Sequence, residues 1–198
     1  MFSNKVKVEA AFDDLRFVTN IEGQISEREV ITLMDLAASL HAGTTIVEIG
    51  SYRGKSTLAL AFGSRRGYGN KVYAVDPHLD FIGVLGAIFG PNDLKALYQN
   101  IVAANVGDTV FVVSLPSVEA SKAWQSTSIE LLFIDGDHSY DGVKSDYESW
   151  IPYVVKNGLI AFHDCNVAGV KQLIDKLNDS GLVEFIEKID ELAWFKKK

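Results

Sequence analysis

The sequence predicts an α/β fold built on a mostly parallel sheet with helices on both faces. Five short apolar runs, Thr45–Ile49, Lys71–Val75, Thr109–Val113, Ile129–Ile134 and Gly158–Phe162, alternate with stretches of helical period. Parallel strands need crossovers, and strands covered on both faces read as continuous apolar runs. A second observation is where the polar residues fall: Glu48, Asp76, Ser114, Asp135 and Asp164 all lie at the C-terminal ends of these runs, where ligands bind in open α/β sheets. A third is the tail, in which Leu182–Ile189 and Leu192–Lys196 flank the reversal Asp190-Glu191. That pattern predicts an antiparallel hairpin, adding an antiparallel strand at one edge.

The elements follow in order. Met1 to Gln24 is mixed in pattern and reads as a short helix or irregular lead-in. Ser26 and Glu29 form a capping box, after which Val30, Leu33, Met34, Ala37 and Leu40 share one helical face up to Gly43. The strand Thr45–Ile49 and a helix from about Lys55 to Phe62 make the first βα unit. His78–Pro91 breaks the rhythm, being apolar, holding Gly83, Gly86 and Gly90 and lacking a steady period, so it reads as a mobile loop or lid. Helices are expected at Asp93–Ala104, at Pro116–Trp124 with proline in the first turn, at Ser139–Trp150 with Pro152 as the stop, and at Ala168–Leu177.

Bulk properties bound the function. At 198 residues, 47% hydrophobic and 23% charged, the chain reads as one globular domain over 1–198, with 1–43 as lead-in and helix and 44–198 as core. A net charge of −7 argues against a nucleic-acid partner. The lone Cys165 excludes a disulfide framework and a clustered-thiolate zinc site, and no apolar stretch reaches membrane-spanning length. The expectation is therefore a cytoplasmic protein with a small-molecule partner and no membrane; self-association stays open.

The informative stretch is TIVEIGSYRGKSTLAL, residues 45–60, an apolar strand, an acid, a glycine turn and a helix start. Such a junction points backbone N–H groups outward at the positive end of a helix. Gly50, Gly54, Lys55 and Ser56 imitate a phosphate loop, but three residues stand where four are needed between the first glycine and Gly-Lys, and Glu48 repels a triphosphate. The dinucleotide pattern G-x-G-x-x-G is also absent. Asp76, after the second strand, suits the hydroxyls of a ribose. Glu48 favours a cofactor carrying an ammonium and a sulfonium over an anionic pyrophosphate.

On these residues the sequence resembles class I S-adenosylmethionine-dependent methyltransferases. More narrowly, VEIGSYRGKSTLALA, VYAVDPH and LLFIDGDHSYDGVKSDYESWIPYVVKNGLIAFHD are similar to the small family that includes macrocin-type sugar O-methyltransferases. The resemblance implies a Rossmann-like seven-stranded sheet with the last strand reversed and a methyl-transfer site above it. It also implies that Glu48, Gly50, Ser51, Tyr52 and Gly54 cradle the methionine part of S-adenosylmethionine, with Ser56 near its carboxylate. Asp76 would hold the ribose, His78 would flank it, and Ser114 to Ser117 would border the adenine.

The same resemblance places the chemistry at Asp135, Asp137, His138, His163 and Asp164. Asp135 would border the cofactor as well. Asp135, His163 and Asp164 are the candidate ligands of Mg2+ or another divalent metal, although relatives carry an acidic or amide pair where this chain has His163-Asp164. His138 is the candidate general base for a hydroxyl proton, since imidazole titrates near neutrality. A non-catalytic cofactor-binding protein is the alternative of a different class, and an NTPase of phosphate-loop type is the other.

Overall fold

The structure, a computed structural model, describes residues 13–84, 86–125 and 128–198; residues 1–12 of the expected lead-in lie outside it. Helical turns at 13–19 (α1) precede α2 (Glu27–Ala38), which starts at the capping box foreseen from the sequence. Next come β1 (Thr45–Ile49), α3 (Lys55–Arg66) and β2 (Lys71–Val75). A small hairpin of β3 (Phe81–Ile82) and β4 (Ile88–Phe89) leads into α4 (Pro91–Ala103). The chain continues through β5 (Val110–Val113), α5 (Ser117–Ala123), β6 (Ile129–Ile134), α6 (Tyr140–Trp150) and a 3-10 turn at Ile151–Tyr153. It ends with β7 (Val154–Phe162), α7 (Ala168–Ser180), β8 (Val183–Ile189) and β9 (Leu192–Lys197).

The main sheet has seven strands in the order β5-β2-β1-β6-β7-β9-β8. The first five are mutually parallel, and β9 runs antiparallel to both of its neighbours, β7 and β8. Both strands of the terminal hairpin enter the sheet and complete the seven strands that the sequence reading expected. Burial explains the order: Leu192, Ala193, Trp194 and Phe195 of β9 are all buried, whereas β8 is exposed along most of its length. The buried strand takes the interior position and the exposed one, which carries Glu184, Glu187 and Lys188, takes the rim.

Two apolar layers hold the helices on the sheet. One joins α2, α3 and α4 to one face through Leu33, Met34, Leu58, Leu60, Leu97 and Ile101. The other joins α5, α6 and α7 to the opposite face through Ala120, Tyr147, Trp150, Leu173 and Leu177. Each fully buried large apolar side chain contributes about 1.5–3 kcal/mol, which is what fixes both layers. Helix α3 runs four residues beyond the expected Phe62 because Gly63 lets α2 cross closely; a Cβ there would sit 2.2 Å from the carbonyl oxygen of Met34. Among the described residues no helix is long and apolar enough to cross a membrane.

From β1 the chain steps to β2 and β5 on one side, then returns to β6 on the other. The topological switch point is thus the gap between the ends of β1 and β6. Gly50 and Asp135 meet there.

Candidate active site

A cavity of about 310 Å3 opens at this switch point, within the size range of small-molecule sites. Its floor is made by the turns that follow β1, β2, β6 and β7. Gly23–Ile25 of the N-terminal segment form one wall, and the β3–β4 hairpin contributes Phe81 and Phe89 to another. The segment foreseen as a loop or lid therefore carries a hairpin, tied down where Phe89 meets Tyr52 edge-on at 5.4 Å.

The turn after β1 is locked from below. Gly50 N–H donates to Val75 O at 2.9 Å, and the Asp76 carboxylate accepts the N–H groups of Ser51 at 2.9 Å, Tyr52 at 3.0 Å and His78 at 2.9 Å. His78 is buried, its ring bridging the carbonyl oxygens of Asp76 at 3.0 Å and Tyr52 at 3.1 Å. Tyr52, His78 and Asp164 all adopt positive φ and all line the cavity. Such backbone strain, about 1–3 kcal/mol per residue, persists only where the surroundings over-determine it.

The predicted cofactor residues divide into those on the cavity wall and those behind it. Gly50, Ser51, Tyr52, Ser56, Asp76, His78, Ser117 and Asp135 line the cavity. Glu48 lies beneath the turn, fully buried, with Oε2 accepting the Thr57 hydroxyl at 2.5 Å and Oε1 without a hydrogen-bond partner among the described residues. Burial pushes its pKa up to about 8 against the pull of the Ser56 and Thr57 hydroxyls. Gly54 caps α3 in the left-handed region and packs on Leu97, which a Cβ would approach to 2.6 Å. Ser114 is exposed just past β5 and is not among the residues lining the cavity.

The predicted chemical residues converge. His138 Nε2 lies 3.1 Å from Asp164 Oδ2 and 3.4 Å from Asp135 Oδ1, while His163 Nδ1 lies 3.2 Å from Asp135 Oδ1 and 3.4 Å from Asp164 Oδ2. Burial opposes charge on both rings, but the facing carboxylates outweigh it and raise both histidines above the ordinary imidazole range. Burial would raise Asp135, yet the two imidazoles hold it below the usual carboxylate value. Asp135, His138 and Asp164 present ligand atoms within 4.8 Å of one another, and His163 reaches the same two carboxylates from the buried side. Asp137 instead serves the local fold, accepting Ser139 N–H at 2.9 Å and the Ser139 hydroxyl at 2.8 Å.

Sequence reasoning missed several neighbours. Lys55 and Asp146 line the cavity, as do Phe81 and Phe89 of the segment foreseen as a lid, and burial pushes Asp146 up to about 6 against the Ser117 hydroxyl. Glu29, read only as a capping residue, reaches the site from behind, its Oε2 lying 3.5 Å from His163 Nε2. A signal was available, since Leu33 and Ala37 repeat from Glu29 at helical spacing and place it on the buried face.

Against known proteins, residues 47–165 match a family model described as a methyltransferase domain. The chain is similar over 130 residues, at 28% identity, to uncharacterized protein y4gI of Sinorhizobium fredii; the match takes in 62% of this chain and 13% of that one. The chain therefore spans about an eighth of that relative's length. Among solved structures, it is similar to the SAH-bound Podospora anserina methyltransferase PaMTH1, with a TM-score of 0.72 and 14% identity over 100% of this chain and 95% of that one. It is also similar to a Bacillus cereus O-methyltransferase in complex with SAH, with a TM-score of 0.67 and 16% identity over 98% and 90% of the two chains. At these identities the structural matches speak to the fold, and the fold they share is the Rossmann-like one described above.

Proposed function

The chain belongs to the methyltransferase-domain family that its residues 47–165 match, and from that premise we propose that it transfers the methyl group of S-adenosylmethionine to an oxygen of a small molecule. The observation that carries this reading is the cavity wall itself. Ser51 is 2% exposed and lines the cavity, and its hydroxyl has no hydrogen-bond partner among the described residues, so a bound polar group can satisfy it. Around it stand Asp76, Asp135, Asp137, Asp146 and Asp164, an acidic lining that favours a ligand bearing ammonium and sulfonium groups over a polyphosphate.

When bound, S-adenosylmethionine supplies an electrophilic methyl group. The chain's own contribution is position and proton transfer. The turn from Gly50 to Ser56 seats the methionine part, with Glu48 beneath it and Gly54 setting the start of α3. Asp76 holds the ribose with His78 flanking it, and Ser117 borders the adenine. With Nε2–H facing Asp135 and Asp164, the neutral His138 ring takes the acceptor's hydroxyl proton on Nδ1 as the oxygen attacks, and the two carboxylates stabilise the imidazolium that results. The donor set of Asp135, His163 and Asp164 also fits a divalent cation such as Mg2+, whose chemistry there is to acidify a bound hydroxyl. The apolar hairpin residues Phe81 and Phe89 cover the acceptor.

Isothermal titration with S-adenosylmethionine tests the reading, with Glu48→Ala and Asp76→Ala as weakened variants. Saturable binding by the intact protein, reduced in both variants, is expected; no binding by the intact protein ends the proposal.

A further inference from the structure

His163 is 4% exposed and is held from two sides. Its Nδ1 faces Asp135 and Asp164 at 3.2 and 3.4 Å, whereas Nε2 points away from the cavity and has no hydrogen-bond partner among the described residues. What Nε2 faces is Glu29 Oε2, at 3.5 Å. Glu29 is 2% exposed, and two N–H groups pin its carboxylate: Ser26 donates to Oε2 at 2.7 Å and Glu191 donates to Oε1 at 2.8 Å. Those two bonds account for the helix cap and for the docking of the β8–β9 turn. Neither requires a carboxylate oxygen to stand against a buried histidine.

A bare ring nitrogen opposite a carboxylate sets lone pair against lone pair; His163 meets carboxylates on both sides, so both of its nitrogens carry protons when no cation stands between Asp135 and Asp164. Holding the far N–H of a working histidine with a carboxylate fixes the direction of the near nitrogen. We propose that Glu29 is a positioning residue of this site: acting through His163, it faces the Nε2–H and directs Nδ1 at the Asp135–Asp164 pair. This rests on the methyl-transfer reading for its consequence in turnover, but not for its geometry. Whether Nδ1 then meets the carboxylates directly or a cation between them, the demand on Nε2 is the same. The helix cap, the terminal hairpin turn and the site thereby share one carboxylate.

Glutamine at this position has one acceptor oxygen for three converging donors and must turn an NH2 toward one of them. The experiment compares Glu29→Gln with Ser26→Ala, which breaks the helix cap without facing His163. In 15N-labelled protein the long-range ring correlations of His163, assigned with His163→Gln, report which nitrogen holds a proton. Expected are a protonated Nε2 in the wild type, displaced His163 ring nitrogen shifts in Glu29→Gln, and wild-type shifts in Ser26→Ala. With an acceptor in hand, Glu29→Gln lowers kcat by at least about tenfold while KM for S-adenosylmethionine stays within about twofold, and Ser26→Ala moves only the melting temperature. Unchanged ring shifts in Glu29→Gln, or the same losses in Ser26→Ala, overturn the proposal. Should Glu29→Gln fail to fold, Glu29→Asp, whose carboxylate falls short of Nε2, replaces it: displaced His163 ring shifts uphold the proposal, and unchanged shifts or a bare Nε2 in the wild type overturn it. Absence of cofactor binding strikes the methyl-transfer reading and leaves the ring measurement standing.

Discussion

Gly50 packs against Asp135 so closely that a Cβ at Gly50 would sit 2.1 Å from the Asp135 carbonyl oxygen. Asp135 N–H in turn donates to Ile49 O at 2.8 Å. The turn that seats the cofactor in our reading and the strand end that carries the chemistry are thereby one joint. Gly50 also has φ +84°, so alanine meets a steric block and an unfavourable backbone at once. Gly50→Ala is expected to lower unfolding free energy by at least about 3 kcal/mol, read by chemical denaturation. A variant within about 0.5 kcal/mol of wild type contradicts the joint.

Asp76 is the second tie in this joint, because its carboxylate accepts from Ser51, Tyr52 and His78 together. Asparagine keeps the shape, offers one oxygen and turns an NH2 toward N–H donors. Asp76→Asn is expected to destabilise by about 1–3 kcal/mol and to weaken S-adenosylmethionine binding by at least about tenfold, measured by titration calorimetry. Intact affinity in a folded Asp76→Asn protein removes Asp76 from the cofactor site.

The strands and their polar ends were legible because burial on both faces writes itself as continuous apolar runs, as at Ile129–Ile134. The convergence of Asp135, His138 and Asp164 followed from their places just past the strands. Less visible were features set by packing between distant segments. The strands Phe81–Ile82 and Ile88–Phe89 are two residues each, too short for any period to show. Gly54 reads as part of a ligand turn, yet its neighbour is Leu97 on another helix. Glu29 meets His163 only once α2 is laid across the ends of β7 and β9, and a local motif, the capping box, already explained its presence.

Glu48 gives a pH dependence with a definite sign. Its pKa rises from 4.5 to about 8 on folding because the carboxyl is buried beneath the turn. A group raised in the folded state contributes its full stability below its unfolded pKa and loses it as pH climbs through the folded one. Cofactor-free protein is therefore expected to lose about 3–5 kcal/mol between roughly pH 4.5 and 8 through this residue. Asp146, raised to about 6, adds a smaller loss at the lower end of that window. Glu48→Gln should make the curve shallower throughout this window, leaving the loss from Asp146 at its lower end and that from the raised His138 and His163 at its upper end. Denaturation midpoints at several pH values decide it, and parallel curves for wild type and Glu48→Gln reject the assignment.

His138 separates proton transfer from binding. Its ring stands between Asp135 and Asp164, and its backbone is held by α7, where a Cβ on Gly169 would come within 2.4 Å of the His138 carbonyl oxygen. Removing the imidazole leaves the Gly50–Ser56 turn untouched, so His138→Ala should bind S-adenosylmethionine with wild-type affinity. Turnover of an acceptor should fall by about 10²–10⁴-fold, the range of a lost general base. A cation held by Asp135, His163 and Asp164 acts on the same hydroxyl by a different route, so EDTA treatment should slow wild type and Mg2+ should restore it. Because His138→Ala lacks the proton acceptor, added Mg2+ should not bring it back to the wild-type rate. Full activity in both EDTA-treated wild type and His138→Ala removes base and cation together, and leaves a site that works by positioning alone.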